Sequence, residues 1–176
     1  MVRIRFETRL FKIGDWIVSL LPKSASSQLP SRALTMVDGT INDYKFKAAL
    51  EPDGRGSHWF RVDTILKGAK ANDTVKLEIE PTKEWIEPVV PDDLKKALAT
   101  SKKAEDLWHD ITPGARWDWI RWVRAVKTEE TRRKHLRVML DKLNKGTRRP
   151  CCFNRNLCSE PYVSKNWQLL IPNQTK

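Results

Sequence analysis

Cysteine is scarce in this chain of 176 residues: Cys151, Cys152 and Cys158 are the three present, and two of them are neighbours. Three thiols cannot all pair with one another, and adjacent cysteines seldom meet disulfide geometry. A disulfide-stapled secreted scaffold is therefore not expected, and reduced thiols in a cytoplasmic setting are. Long apolar runs are also missing. Without a stretch near eighteen such residues there is no candidate membrane helix, and the opening MVRIRFETRL carries Glu7 with no long apolar region behind it, unlike a signal peptide. What is present, 40% hydrophobic and 31% charged side chains, suits a folded chain with one ordinary core or two small ones.

Charge is plentiful and uneven. Lys and Arg number 33 against 22 Asp and Glu, a formal net charge of +11. Up to Pro91 the count is 14 against 12; beyond it, 19 against 10, so the first part carries +2 and the second +9. Such a balance favours anionic partners, whether a small molecule, a protein or a nucleic acid, and names none of them.

The periodicity changes at the same place. Ile4 and Phe6 alternate with charged residues, Trp16–Leu21 is rich in β-formers, and Leu34–Ile41 leads through Asn42 and Asp43 into Tyr44–Leu50 as a hairpin. Pro52-Asp-Gly-Arg-Gly56 marks a turn before His58–Val62, and Thr74–Glu80 reads as a further strand. Short antiparallel strands must close or cover their edges, so residues 1–90 are expected to form a small β-barrel domain. From Pro91 the spacing is helical, and residues 91–146 are expected to form a helical domain, making the class α+β. Pro91 precedes two acids at a helix start, Lys102–Trp108 follows, Thr112 with Pro113 fits an N-cap and first turn, and Thr128 caps a last helix that Gly146 stops. Trp117, Trp119 and Trp122 alternate with Arg116, Arg121 and Arg124; the rings are expected to pack against the sheet with the arginine heads wet. Residues 147–176 remain as a basic, cysteine-containing extension.

Several residues are candidates for chemistry. The run Glu51–Ser57 offers backbone N–H groups to an anion but lacks the spacing of a P-loop or a dinucleotide fingerprint, and a connecting turn explains it as well. His58 is the best placed of the three histidines for acid–base work, yet no serine, cysteine or carboxylate constellation completes a mechanism; a hydrogen-bonded histidine at a barrel mouth is the simpler reading. Ser31, Ser57 and Asp53 are the partners an enzyme would recruit. Cys151, Cys152 and Cys158 lack CxxC spacing, so no metal and no cofactor is expected. Arg132, Arg133, Arg137, Lys142, Arg148 and Arg149 form the densest basic cluster; it either lines a phosphate backbone or is a solvated helix face.

Taken together, KIGDWIVSLL (12–21), PKSASSQLPSR (22–32), MVDGTINDYKFKAALEPDGRGSHWF (36–60), ITPGARWDWIRWVR (111–124), TEETRRKHL from 128 and the ending RRPCCFNRNLCSEPYVSKNW resemble the bacterial YdeI/OmpD-associated, or bacteriocin-protection, family. The likeness covers nearly the whole chain. It implies an N-terminal small β-barrel of unknown function, similar to the double-split class shared with swapped-hairpin transcription regulators, followed by a helical domain. The matching positions are Leu29–Arg32, Gly54, Gly56, His58, Trp59, Trp117, Trp119, Thr131 and Arg132; they nominate a groove and no reaction.

These observations converge on a non-enzymatic, cytoplasmic binding or stress-associated accessory protein, with no membrane partner and an oligomeric state left open. A groove near Arg32, Arg55, His58 and Trp59 is the expected ligand site: Arg55 for an anion, His58 for a switchable hydrogen bond, Trp59 for a wall. Nonspecific nucleic-acid binding through the basic helix, and an enzyme using His58, are the alternatives.

Overall fold

The computed structural model describes residues 2–151 and 169–170. They fall into two compact units, one running through Ile86 and including Leu169 and Leu170, the other beginning at Glu87.

The first unit is a closed barrel of six antiparallel strands, β1 (Ile4–Ile13), β2 (Trp16–Leu20), β3 (Thr35–Ile41), β4 (Tyr44–Pro52), β5 (His58–Arg61) and β6 (Thr74–Pro81), in the order β1-β2-β5-β4-β3-β6. Closure depends on β1, which is longer than its alternating residues suggest. Residues 4–9 pair with β6, and residues 10–13 pair with β2. The β3–β4 hairpin turns at Asn42 and Asp43, both at positive φ (45° and 70°), the left-handed pair that a two-residue hairpin requires. Asn42 Oδ1 also accepts the Lys76 N–H at 2.9 Å, which pins the turn to β6. Gly39 allows β3 to lie close to β6: a Cβ there would stand 2.3 Å from the Glu78 carbonyl oxygen.

Side chains follow the pleat. Ile4, Leu10, Val37, Ile41, Phe46, Leu50, Phe60, Val75, Leu77 and Ile79 fill the barrel, with Phe46 stacked on Phe60 at 5.5 Å. One end is plugged by a four-residue helix, α1 (Lys23–Ser26), and by Leu29. The outer face of β1, β2 and β5 carries a second apolar cluster of Ile13, Val18 and Trp59, flanked by Phe11, Trp16 and Leu20 and covered by Leu169.

The second unit contains α2 (Asp92–Leu98), α3 (Lys102–Asp110), α4 (Pro113–Arg124) and α5 (Glu129–Asn144). Ser101, Thr112 and Thr128 cap the last three, each side chain accepting a backbone N–H of the first turn. The apolar stripes of the four helices meet in one core around Trp108, Trp119, Ile120, Met139 and Leu143. Arg116 closes the C-terminal end of α3: its Nη1 donates to the carbonyls of Trp108, His109 and Ile111, while Nε and Nη2 hold Glu87. The tryptophan–arginine expectation needs correction. Trp119 is buried in the core of the helices themselves, its Nε1 donating to the Arg148 carbonyl, and Arg121 is enclosed at 0% exposure. Arg121 lies one turn after the buried Asp118 on the same side of α4, so helix packing encloses both.

No helix among the described residues is long and apolar enough to cross a membrane.

Candidate functional site

The turn between β4 and β5 is built around Asp53. Gly54 and Gly56 take positive φ (74° and 87°), where L side chains are strained, and the two glycines let the chain reverse within a few residues. Asp53 is 3% exposed; its Oδ1 accepts the N–H groups of Arg55 and Ser57 at 2.7 and 2.8 Å, and its own N–H donates to the Ser57 carbonyl. The loop is thus an internally braced turn that holds Arg55 out into solvent.

Behind it lies His58, 0% exposed, on the inward face of β5 with Phe60. Its Nε2 is 3.0 Å from the Ala33 carbonyl, which can only accept, so Nε2 carries the proton. In the neutral ring Nδ1 then accepts from the Ser26 hydroxyl at 2.8 Å. Ser26 Oγ in turn receives Arg32 Nη1 at 3.3 Å, and the same Nη1 reaches the Gly56 carbonyl at 3.3 Å. A chain of contacts therefore runs from the barrel interior through Ser26 to an exposed guanidinium resting on the glycine turn. Arg32 and Arg55 have no carboxylate within salt-bridge distance among the described residues. Three of the other four guanidiniums of the barrel differ: Arg3 and Arg5 bind Glu78, and Arg61 binds Asp63.

The structure brings Arg32, Arg55 and His58 to one end of the barrel and separates Trp59 from them. Trp59 points the opposite way along the pleat, 2% exposed, stacked on Trp16 and covered by Leu169. It is no wall of this site. The same alternation seals His58 inside, so its hydrogen bond is not offered to solvent. The serines expected to serve it are occupied elsewhere: Ser57 Oγ donates to the Leu21 carbonyl, and Ser31 Oγ accepts the Ala33 N–H. Its partner is Ser26, which stands 32 residues away in sequence within the run Ser24-Ala25-Ser26-Ser27. Nothing local marks Ser26 among its neighbours; only the docking of α1 in the barrel end selects it.

Half of the basic cluster of the helical unit is neutralised. Arg132 makes two hydrogen bonds to Asp93, at 2.6 and 3.0 Å, Arg148 binds Asp110 at 2.8 Å, and Arg149 binds Asp118. The Arg132 pair holds the Asp93 carboxyl below its ordinary value, chiefly through that hydrogen bond. Arg133 and Arg137 are exposed and one turn apart on one face of α5. Lys142, nine residues beyond Arg133, falls about half a turn away at roughly 100° per residue. The six positions do not form one stripe.

Elsewhere, an open groove of about 540 Å³ runs along the outer face of β3, β4 and β6. Most of its charges are already matched, Arg3 with Glu78 and Glu80, and Lys47 with Asp38 and Glu84, while Lys45 has no acid partner among the described residues. Among the described residues no group of three or more His, Cys, Asp or Glu side chains is placed to hold a metal. Cys151 is a free, exposed thiol; Cys152 and Cys158 lie outside the described residues.

Fold and site define a two-unit α+β chain, an antiparallel barrel followed by packed helices, with a polar relay at the barrel mouth. Comparison with protein families divides it the same way: residues 6–79 match a domain of unknown function (DUF1905), and residues 87–146 match the family described as bacteriocin-protection, YdeI or OmpD-associated. The YdeI/OmpD-associated match lies in the helical unit and the match to the domain of unknown function in the barrel, so the chain is similar to each over one unit. No curated protein matches it.

Proposed function

We propose that this protein is a non-enzymatic accessory protein that binds a small oxyanion, of the phosphate type, at the barrel mouth through Arg32 and Arg55. One observation supports this above the others: an exposed guanidinium, held by Ser26 Oγ and the Gly56 carbonyl, stands beside the turn that presents a second arginine, and neither has a carboxylate partner among the described residues. Asp53, the acid of the turn itself, is buried and committed to two backbone N–H groups. It lowers the local potential without occupying the guanidiniums. Attraction would therefore come from directed N–H donors more than from long-range field. Two charge-assisted hydrogen bonds of about 1.5–3 kcal/mol each correspond to a Kd of about a millimolar.

The enzymatic alternative has its own observation, the Ser26–His58 hydrogen bond, but both residues are at 0% exposure and no substrate atom reaches them in this conformation. Nucleic-acid binding by α5 is the weaker reading because Arg132, Arg148 and Arg149 are bound to acids.

Calorimetric titration with inorganic phosphate at low ionic strength tests the proposal. Arg55→Ala, at an exposed turn position, should weaken binding about tenfold or more, while Arg9→Ala, exposed on β1, serves as the charge-matched control. Equal phosphate affinity in the two variants would falsify the assignment.

A further inference from the structure

The Asp53 turn has a fourth tie, and it comes from the far end of the chain. The Leu169 N–H donates to the Asp53 carbonyl at 2.9 Å, and the Leu169 side chain, 1% exposed, packs on Trp59, Ile13 and Val18. Asp53 is thus gripped on every polar group it presents to the turn: its N–H by the Ser57 carbonyl, its carboxylate by Arg55 and Ser57, its carbonyl by Leu169. Trp59 lies across from Glu51 in the β4–β5 ladder, so Leu169 braces the strands that lead into and out of the turn. The covering contact is not an optimal one. Trp59 Nε1 is buried without a hydrogen-bond partner among the described residues, an arrangement that costs free energy and leaves the latch easier to open than a fully satisfied strand pairing.

We infer that Leu169 is a positioning residue for the anion site, a C-terminal latch that holds the Asp53 turn and so sets Arg55 in register with Arg32. This rests on the anion-binding reading above and adds its regulation: whatever detaches Leu169 from the Asp53 turn, 116 residues earlier in sequence, weakens the site. The coupling must run both ways. A ligand that favours the ordered turn favours the Leu169 contact by the same factor.

The test uses the full chain and inorganic phosphate. Leu169→Pro removes the N–H that reaches Asp53 while leaving an apolar side chain, and Leu169→Ala keeps the N–H and removes most of the packing. Loss of one backbone hydrogen bond should weaken phosphate binding about fivefold in Leu169→Pro. The loss should be absent when Arg55→Ala is already present, because the latch acts through that residue. In the wild type, saturating phosphate should slow hydrogen exchange of the Leu169 amide by a similar factor, a readout that a merely stabilising contact would not move. Wild-type phosphate affinity in both Leu169 variants, or a Leu169 amide indifferent to phosphate, overturns the latch and leaves the anion site standing. Absence of phosphate binding in the wild type removes the anion site itself, and the latch with it.

Discussion

His58 shows at the level of one residue how burial decides what a reactive side chain can do. The imidazole has a donor on one nitrogen and an acceptor role on the other, each satisfied inside the barrel by Ala33 and Ser26. Such a residue works as a fastener between β5, α1 and the segment after it. Ser26→Ala should then cost about 1–3 kcal/mol in urea unfolding, because a buried ring nitrogen loses its donor. Ser31→Ala, at an exposed position, should stay within about 0.5 kcal/mol of wild type. If the two variants unfold alike, His58 is not held as described. Arg32, on the same relay, differs in having one end buried and the rest of its guanidinium in solvent, which is why the anion site is placed on it and not on the histidine.

Elements are tied to one another by a few directed contacts, of which Arg132 with Asp93 is the most specific. It joins the first turn of α2 to the first half of α5, with the carboxylate also near the positive end of the α2 dipole. Because the folded-state pKa of Asp93 is lowered, its contribution is fully present above the unfolded carboxyl value of 3.8 and is lost as the pH falls through the lowered folded value. The pair is partly solvent-exposed, so its worth is small, about 1 kcal/mol or less. Asp93→Asn should therefore lower stability at pH 7 by about that amount, and the difference from wild type should shrink in acid unfolding below pH 3.8. A difference that persists unchanged into strong acid would show that the carboxylate charge is not the source. The effect belongs to the helix pair: neither α2 nor α5 alone contains both partners.

At the scale of the whole molecule the net charge of +11 suggests a polyanion partner, while the placement of the charge argues for a modest one. With Arg133 and Arg137 as the aligned arginines of α5 that have no acid partner among the described residues, duplex DNA binding across a salt series should give a log–log slope of about −2. A slope near −5 or steeper would restore the basic helix as the principal binding surface. Much of this architecture was legible beforehand. Alternation at Ile4 and Phe6, the Asn42-Asp43 turn, Thr112 with Pro113, and Thr128 ahead of a four-residue apolar repeat are local signals, and local backbone preference together with the side-chain period produces strands and capped helices wherever they occur. The choice of Ser26 over its neighbours, the burial of Arg121, the neutralisation of Arg148 and Arg149, and the contact of Leu169 with Asp53 are different in kind. Each depends on groups from distant positions meeting after the chain has closed, and a partner's distance, unlike a residue's own period, is not written in the residues around it.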